Sequence, residues 1–102
     1  MTKSIKNHIG LIGAGAWGKN HLRNLHNLGA LNTVLETSDD ITNLRQKEYP
    51  DINFVNNLDD FLKIEDIKGV VIAAPAELHF DIAKKCMLAG KDVMVEKPLA
   101  LT

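Results

Sequence analysis

Three groups in this chain have residue types and spacings that could do chemistry: Gly13-Ala14-Gly15-Ala16-Trp17-Gly18, Glu36, and Glu96-Lys97-Pro98. The glycine group follows the apolar run Ile9-Gly10-Leu11-Ile12 and opens a stretch of helical periodicity. A strand that feeds a glycine turn and then a helix N-terminus suits an anion, because backbone N–H groups and the positive end of the helix dipole face it. Gly13 permits the tight turn. Gly15 lets the backbone approach a pyrophosphate with no Cβ between them, and Gly18 lets the helix pack close to the strand. This context predicts a dinucleotide site.

Glu36 lies 18 residues after Gly18, at the predicted carboxyl end of the second strand. A carboxylate there can accept both ribose hydroxyls of an adenosine and repel the extra phosphate of NADP. The bland alternative is an exposed acid at a strand end. No arginine follows directly; the hydroxyls of Thr37 and Ser38 could receive a phosphate, but the acids around them, Asp39 and Asp40 included, argue against it, so NAD is favoured over NADP.

The remaining candidates are weaker on residue type alone. Ala73-Ala74-Pro75 ends the fourth strand, where small residues leave room for a nicotinamide ribose and proline equally serves as a strand stop. His79 stands one turn into the next helix; a lone histidine is more often structural or solvated than functional, and His8, His21 and His26 have less to recommend them. Lys97, at the end of a central strand, could hydrogen-bond a substrate hydroxyl and stabilise a developing oxyanion. Taken alone, Glu96-Lys97 reads as a surface ion pair of little worth.

The elements that must position these residues alternate strand and helix. Strands are expected over Ile9–Ile12, Leu31–Glu36, Ile52–Val55, Gly69–Ala74 and Asp92–Glu96. Helices are expected from about Ala16 to Leu28, through Ile41, Leu44 and Lys47, over Leu58–Leu62, and over Ala76–Leu88. The first carries Leu22, Leu25 and Leu28 at a spacing of three and stops at Gly29; the last carries Leu78, Ile82, Ala83, Cys86 and Met87 on its apolar face and stops at Gly90. Strands apolar on both faces call for a parallel sheet covered by helices on each side. Right-handed crossovers then favour a doubly wound Rossmann-type α/β sheet of order 3-2-1-4-5.

Composition narrows the classes further. With 102 residues, 45% of them hydrophobic, the chain can build one domain core. A net charge of −1 gives no electrostatic reason to expect nucleic acid or an anionic membrane as partner. No apolar run approaches a membrane span, and the lone Cys86 suits a reducing compartment and a small core position, so a cytoplasmic protein is expected.

Taken together, the glycine group, Asn20-His21, Ala74-Pro75-Ala76-Glu77-Leu78-His79, Ala89-Gly90-Lys91 and Glu96-Lys97-Pro98-Leu99-Ala100 resemble the glucose–fructose oxidoreductase/inositol dehydrogenase (Gfo/Idh/MocA) family. The resemblance covers nearly the whole chain. It implies an NAD(P)-dependent oxidoreductase acting on sugars, nucleotide-sugars, inositols or related polyols, with the nucleotide-sugar branch the nearer in phrasing. It implies that Gly13, Gly15, Ala16, Trp17 and Gly18 hold the pyrophosphate and Glu36 the adenosine ribose. Ala74, Pro75 and His79 would line the nicotinamide half beside Glu96, with Lys97 the catalytic lysine and no metal. The family's second domain, with its substrate pocket and oligomer interface, has no counterpart in residues 1–102, and neither does a sixth strand. The expectation is therefore an incomplete dinucleotide-binding domain, inactive alone, whose intact parent forms homo-oligomers. The rival readings are a non-catalytic NAD-binding module and a nucleotide fold that keeps its glycines only for packing.

Overall fold

The computed structural model describes residues 8–16, 18–73 and 76–95, and within 76–79 the backbone only. Nine elements follow in the order β1 (Ile9–Ile12), α1 (Gly18–Asn27), β2 (Leu31–Leu35), α2 (Asp39–Glu48), β3 (Asn53–Val55), α3 (Leu58–Leu62), β4 (Gly69–Ile72), α4 (Ala76–Leu88) and β5 (Asp92–Val95). The five strands are all parallel and lie in the order β3-β2-β1-β4-β5, as the alternation predicts.

Period-two alternation divides the core between the two faces of this sheet. On one face Leu11, Val34, Leu31 and Val71 pack with Leu22 of α1, with Leu25, Ile41 and Tyr49 at the margin. On the other, Ile12, Leu35, Val70 and Ile72 pack with Phe61 of α3 and Cys86 of α4. Cys86 is fully buried, as expected of a small core residue. Gly10 makes the second face possible: a Cβ there would stand 2.5 Å from Phe61 Cζ, so the ring occupies the space over the strand.

Helix ends follow the local chemistry of the sequence. Ser38 is the N-cap of α2, its hydroxyl accepting from Ile41 N–H at 3.3 Å, and Asn57 caps α3 by accepting from Asp60 N–H at 2.8 Å. Gly29 and Gly90, at φ 71° and 84°, end α1 and α4.

The structure corrects several boundaries. α1 begins at Gly18, not Ala16, and ends at Asn27, so Leu28 falls in the turn and is exposed. Glu36 and Ala73, expected as strand residues, lie just past the ladders of β2 and β4, and Ile52 lies just before β3. Met87 is exposed as well; α4 turns Cys86 inward, and Met87 sits about 100° further round the helix.

Candidate functional site

Parallel strands place the carboxyl ends of β1, β2 and β4 side by side, and backbone bonds carry that alignment into the loops. Gly13 N–H donates to Leu35 O at 2.9 Å, Ala73 N–H to Ile12 O at 2.8 Å, and Glu36 N–H to Val55 O at 3.0 Å. The glycine turn, Glu36 and Ala73 are thereby gathered at the point where the strand order reverses, the usual ligand crevice of an open α/β sheet.

Within the turn the three glycines have different physical reasons. Gly13 takes φ 98°, a conformation that side chains resist. A Cβ on Gly18 would stand 1.9 Å from Gly13 O, so only glycine lets α1 begin this close to β1. Gly15 has neither constraint. Its φ is not positive, and among the described residues a Cβ there would make only an ordinary 3.5 Å contact with Ile41 Cδ1. Packing explains Gly13 and Gly18 but gives no reason for Gly15.

Glu36 is bound into this turn. It is only 9% exposed, and its two oxygens are held apart: Oε1 accepts from Ala14 N–H at 2.8 Å and Oε2 from Ser38 N–H at 2.9 Å. The alternative of a solvated acid at a strand end is therefore set aside. Each carboxylate oxygen still has acceptor capacity beyond its one backbone partner. Ala14, fully buried, is held from its other side as well, since Arg45 Nε of α2 donates to Ala14 O at 2.8 Å. Arg45 NH1 in turn donates to Glu48 Oε1 at 3.1 Å. Sequence reasoning missed Arg45, because a contact across 31 positions leaves no local signal.

Of the other expected site residues, Ala16 is exposed at the head of the turn. His79 lies in the first turns of α4, its side chain outside the described part. Trp17, Ala74, Pro75, Glu96 and Lys97 all fall outside the described residues. Two other histidines serve the opposite end of the sheet: His8 Nδ1 bonds Asp66 O at 3.0 Å, and His26, edge-on to the Tyr49 ring, approaches Asp51 at 3.4 Å. Among the described residues no group of His, Cys, Asp and Glu could hold a metal, and no helix is long and apolar enough to cross a membrane.

Comparison with known proteins decides the lineage. Residues 7–102 match the Gfo/Idh/MocA oxidoreductase family, NAD-binding Rossmann fold. The chain belongs to that family. It is 34% identical over 94 residues to 4-carboxy-2-hydroxymuconate-6-semialdehyde dehydrogenase from Sphingobium sp., covering 90% of this chain and 30% of that protein. It is 33% identical over 97 residues to inositol 2-dehydrogenase from Salmonella typhimurium, covering 91% of this chain and 29% of the relative. The WlbA dehydrogenase from Bordetella pertussis, solved in complex with NADH and UDP-GlcNAcA, superposes with TM-score 0.81 at 28% identity, over 93% of this chain and 30% of that one. The sequence thus spans less than a third of these Gfo/Idh/MocA proteins.

Proposed function

We propose that this chain is the NAD-binding part of an oxidoreductase that acts on a sugar, nucleotide-sugar or polyol, and that it selects NAD over NADP. The observation that carries the reading is Gly15: neither its backbone angle nor its neighbours among the described residues require glycine, whereas a pyrophosphate lying against the turn does. Family membership and two of the named relatives, an inositol 2-dehydrogenase and a dehydrogenase solved in complex with NADH and UDP-GlcNAcA, support the substrate class.

The residues present fit the dinucleotide. Ala14 N–H is spent on Glu36, which leaves the amides from Gly15 onward, with Ala16, Trp17 and the N-terminus of α1 at Gly18, to hold the pyrophosphate. Glu36, fixed by two backbone donors, keeps lone pairs for the adenosine ribose and sets a negative charge where a 2′-phosphate would sit. Ala74, Pro75, His79 and Glu96 would flank the nicotinamide half. Bound NAD supplies a hydride acceptor at nicotinamide C4. Lys97 would orient the substrate hydroxyl and polarise its oxygen, while the proton leaves to a base elsewhere in the intact enzyme.

The test replaces Gly15 with valine and follows circular dichroism and NAD titration together. The variant should keep its helical spectrum, since the new Cβ meets only Ile41 at ordinary distance, and should lose detectable NAD binding. Unchanged affinity in a folded variant would contradict the reading.

A further inference from the structure

Ala14 is the one turn residue described as held at both of its backbone polar atoms by charged side chains: Glu36 takes its N–H at 2.8 Å and Arg45 gives to its carbonyl at 2.8 Å. The two charges come from different elements, Glu36 from the end of β2 and Arg45 from the seventh position of α2. An N–H acceptor on one side and a C=O donor on the other fix the rotation of a peptide segment that a glycine on each side leaves free. Gly13 precedes Ala14 and Gly15 follows it, so the chain itself supplies little stiffness there.

We infer that Arg45 is a positioning residue for the dinucleotide site, acting through the Ala14 carbonyl to aim the amides of the glycine turn at the pyrophosphate. This rests on the dinucleotide reading given above. Among the described residues Arg45 reaches the turn through Nε; its NH1 is committed to Glu48, three residues along the same helix. That pairing orients the guanidinium plane. The remainder of the side chain lines a cleft of about 210 Å³ with Lys19, Arg23, Glu48 and Tyr49, between α1 and α2. Arg45 is thus bound on the helix side of the turn, and its effect on a ligand passes through the Ala14 peptide. Lysine could supply a donor to the same carbonyl but not the fork that also engages Glu48.

Preorganised amides bind an anion without a reordering cost, so losing the clamp should weaken pyrophosphate binding, while Glu36, still held by Ser38 N–H, keeps its place for the ribose. The experiment titrates the chain with ADP-ribose, which carries the pyrophosphate, and with adenosine, which lacks it. Arg45→Met should bind ADP-ribose roughly tenfold more weakly and adenosine unchanged; Arg45→Lys should recover part of the loss. Lys47→Met, which removes a charge from an exposed position of the same helix, should match the parent for both ligands. Equal ADP-ribose affinity in Arg45→Met and parent, or an equal loss of both ligands, overturns the positioning role alone. A parent that ignores ADP-ribose overturns the dinucleotide reading and the positioning role with it. Should Arg45→Met fail to fold, the Arg45 Nε–H signal of the parent decides by NMR: it should shift on addition of ADP-ribose but not adenosine, and a silent signal refutes the inference.

Discussion

Glu36 and Lys91 are buried charges that each hold two backbone groups, at opposite ends of the same sheet. Glu36, 9% exposed just past the carboxyl end of β2, accepts from Ala14 and Ser38 N–H. Lys91, 7% exposed just before β5, donates through Nζ to Ile64 O at 2.9 Å and Ile67 O at 2.8 Å. Each ties loops to the sheet by charge-assisted bonds. The difference lies in what remains unspent. Two amides leave a carboxylate with acceptor capacity, which is what the proposed ribose contact would use. Lys91 faces the α3–β4 connection, far from the strand ends that gather the turn, and its work is structural.

Variants should separate the two ends, with the larger stability effect at the lysine. Lys91→Met keeps the apolar stem and removes the donors. Ile64 O retains a 3.3 Å bond from Ile67 N–H, while Ile67 O loses its lysine partner. Urea unfolding should show a loss of about 2–3 kcal/mol, with ADP-ribose affinity of the folded chain unchanged. A weakened affinity would mean that the ends are coupled. Glu36→Gln places an amide NH2 against Ala14 or Ser38 N–H, so one bond turns repulsive; a loss of about 1–2 kcal/mol is expected by the same measurement. Ser38→Ala removes the N-cap of α2 and should cost about 1 kcal/mol. It should also loosen the loop that presents Ser38 N–H to Glu36, seen as faster amide exchange at Ser38.

These contacts mark where the sequence could and could not be read. Alternation of β-branched strands with capped helices, punctuated by Gly29, Pro50 and Gly90, suffices for the element order and the 3-2-1-4-5 sheet. The glycine spacing and the distance to Glu36 pick out residues that the fold does bring together past the carboxyl ends of β1 and β2. Side-chain reach across the fold carries no such signal. Gly10 hints at a close approach over its strand, but only the folded chain names Phe61 as the visitor. Arg45 and Lys91 look like solvated charges in a linear reading, and their carbonyl partners are 31 and 24 to 27 positions away. Leu28 and Met87 fit a helical stripe by spacing and end exposed, because the helix that bears each is shorter or rotated relative to that stripe.

The smallest expected effect is on pH dependence. Burial, aided by the neighbouring Lys68, holds the Lys91 ammonium below the ordinary lysine range. Between that lowered value and about 10.4 the unfolded chain binds more protons at this position, so the contribution of Lys91 to stability rises with pH. A neutral amine still has two N–H groups for the two carbonyls. Burial of Cys86 acts oppositely: its thiol is pushed up, the unfolded chain ionises first, and stability falls above that point. Because Lys91 and Cys86 interact, the comparison is made in a Cys86→Ala background, where subtracting the Lys91→Met urea profile from that of its parent should leave a shallow rise on the alkaline side. A flat difference would show that Lys91 titrates alike folded and unfolded.

The most direct measurement is calorimetric titration of the parent chain and of Glu36→Ala with NAD and with NADP. The parent should favour NAD, and Glu36→Ala should lose roughly tenfold or more in NAD affinity, as expected for a charge-assisted hydrogen bond, while the gap to NADP narrows. Equal affinity of the parent for the two dinucleotides would contradict the assignment of Glu36 to the ribose and leave it, like Lys91, a structural clamp.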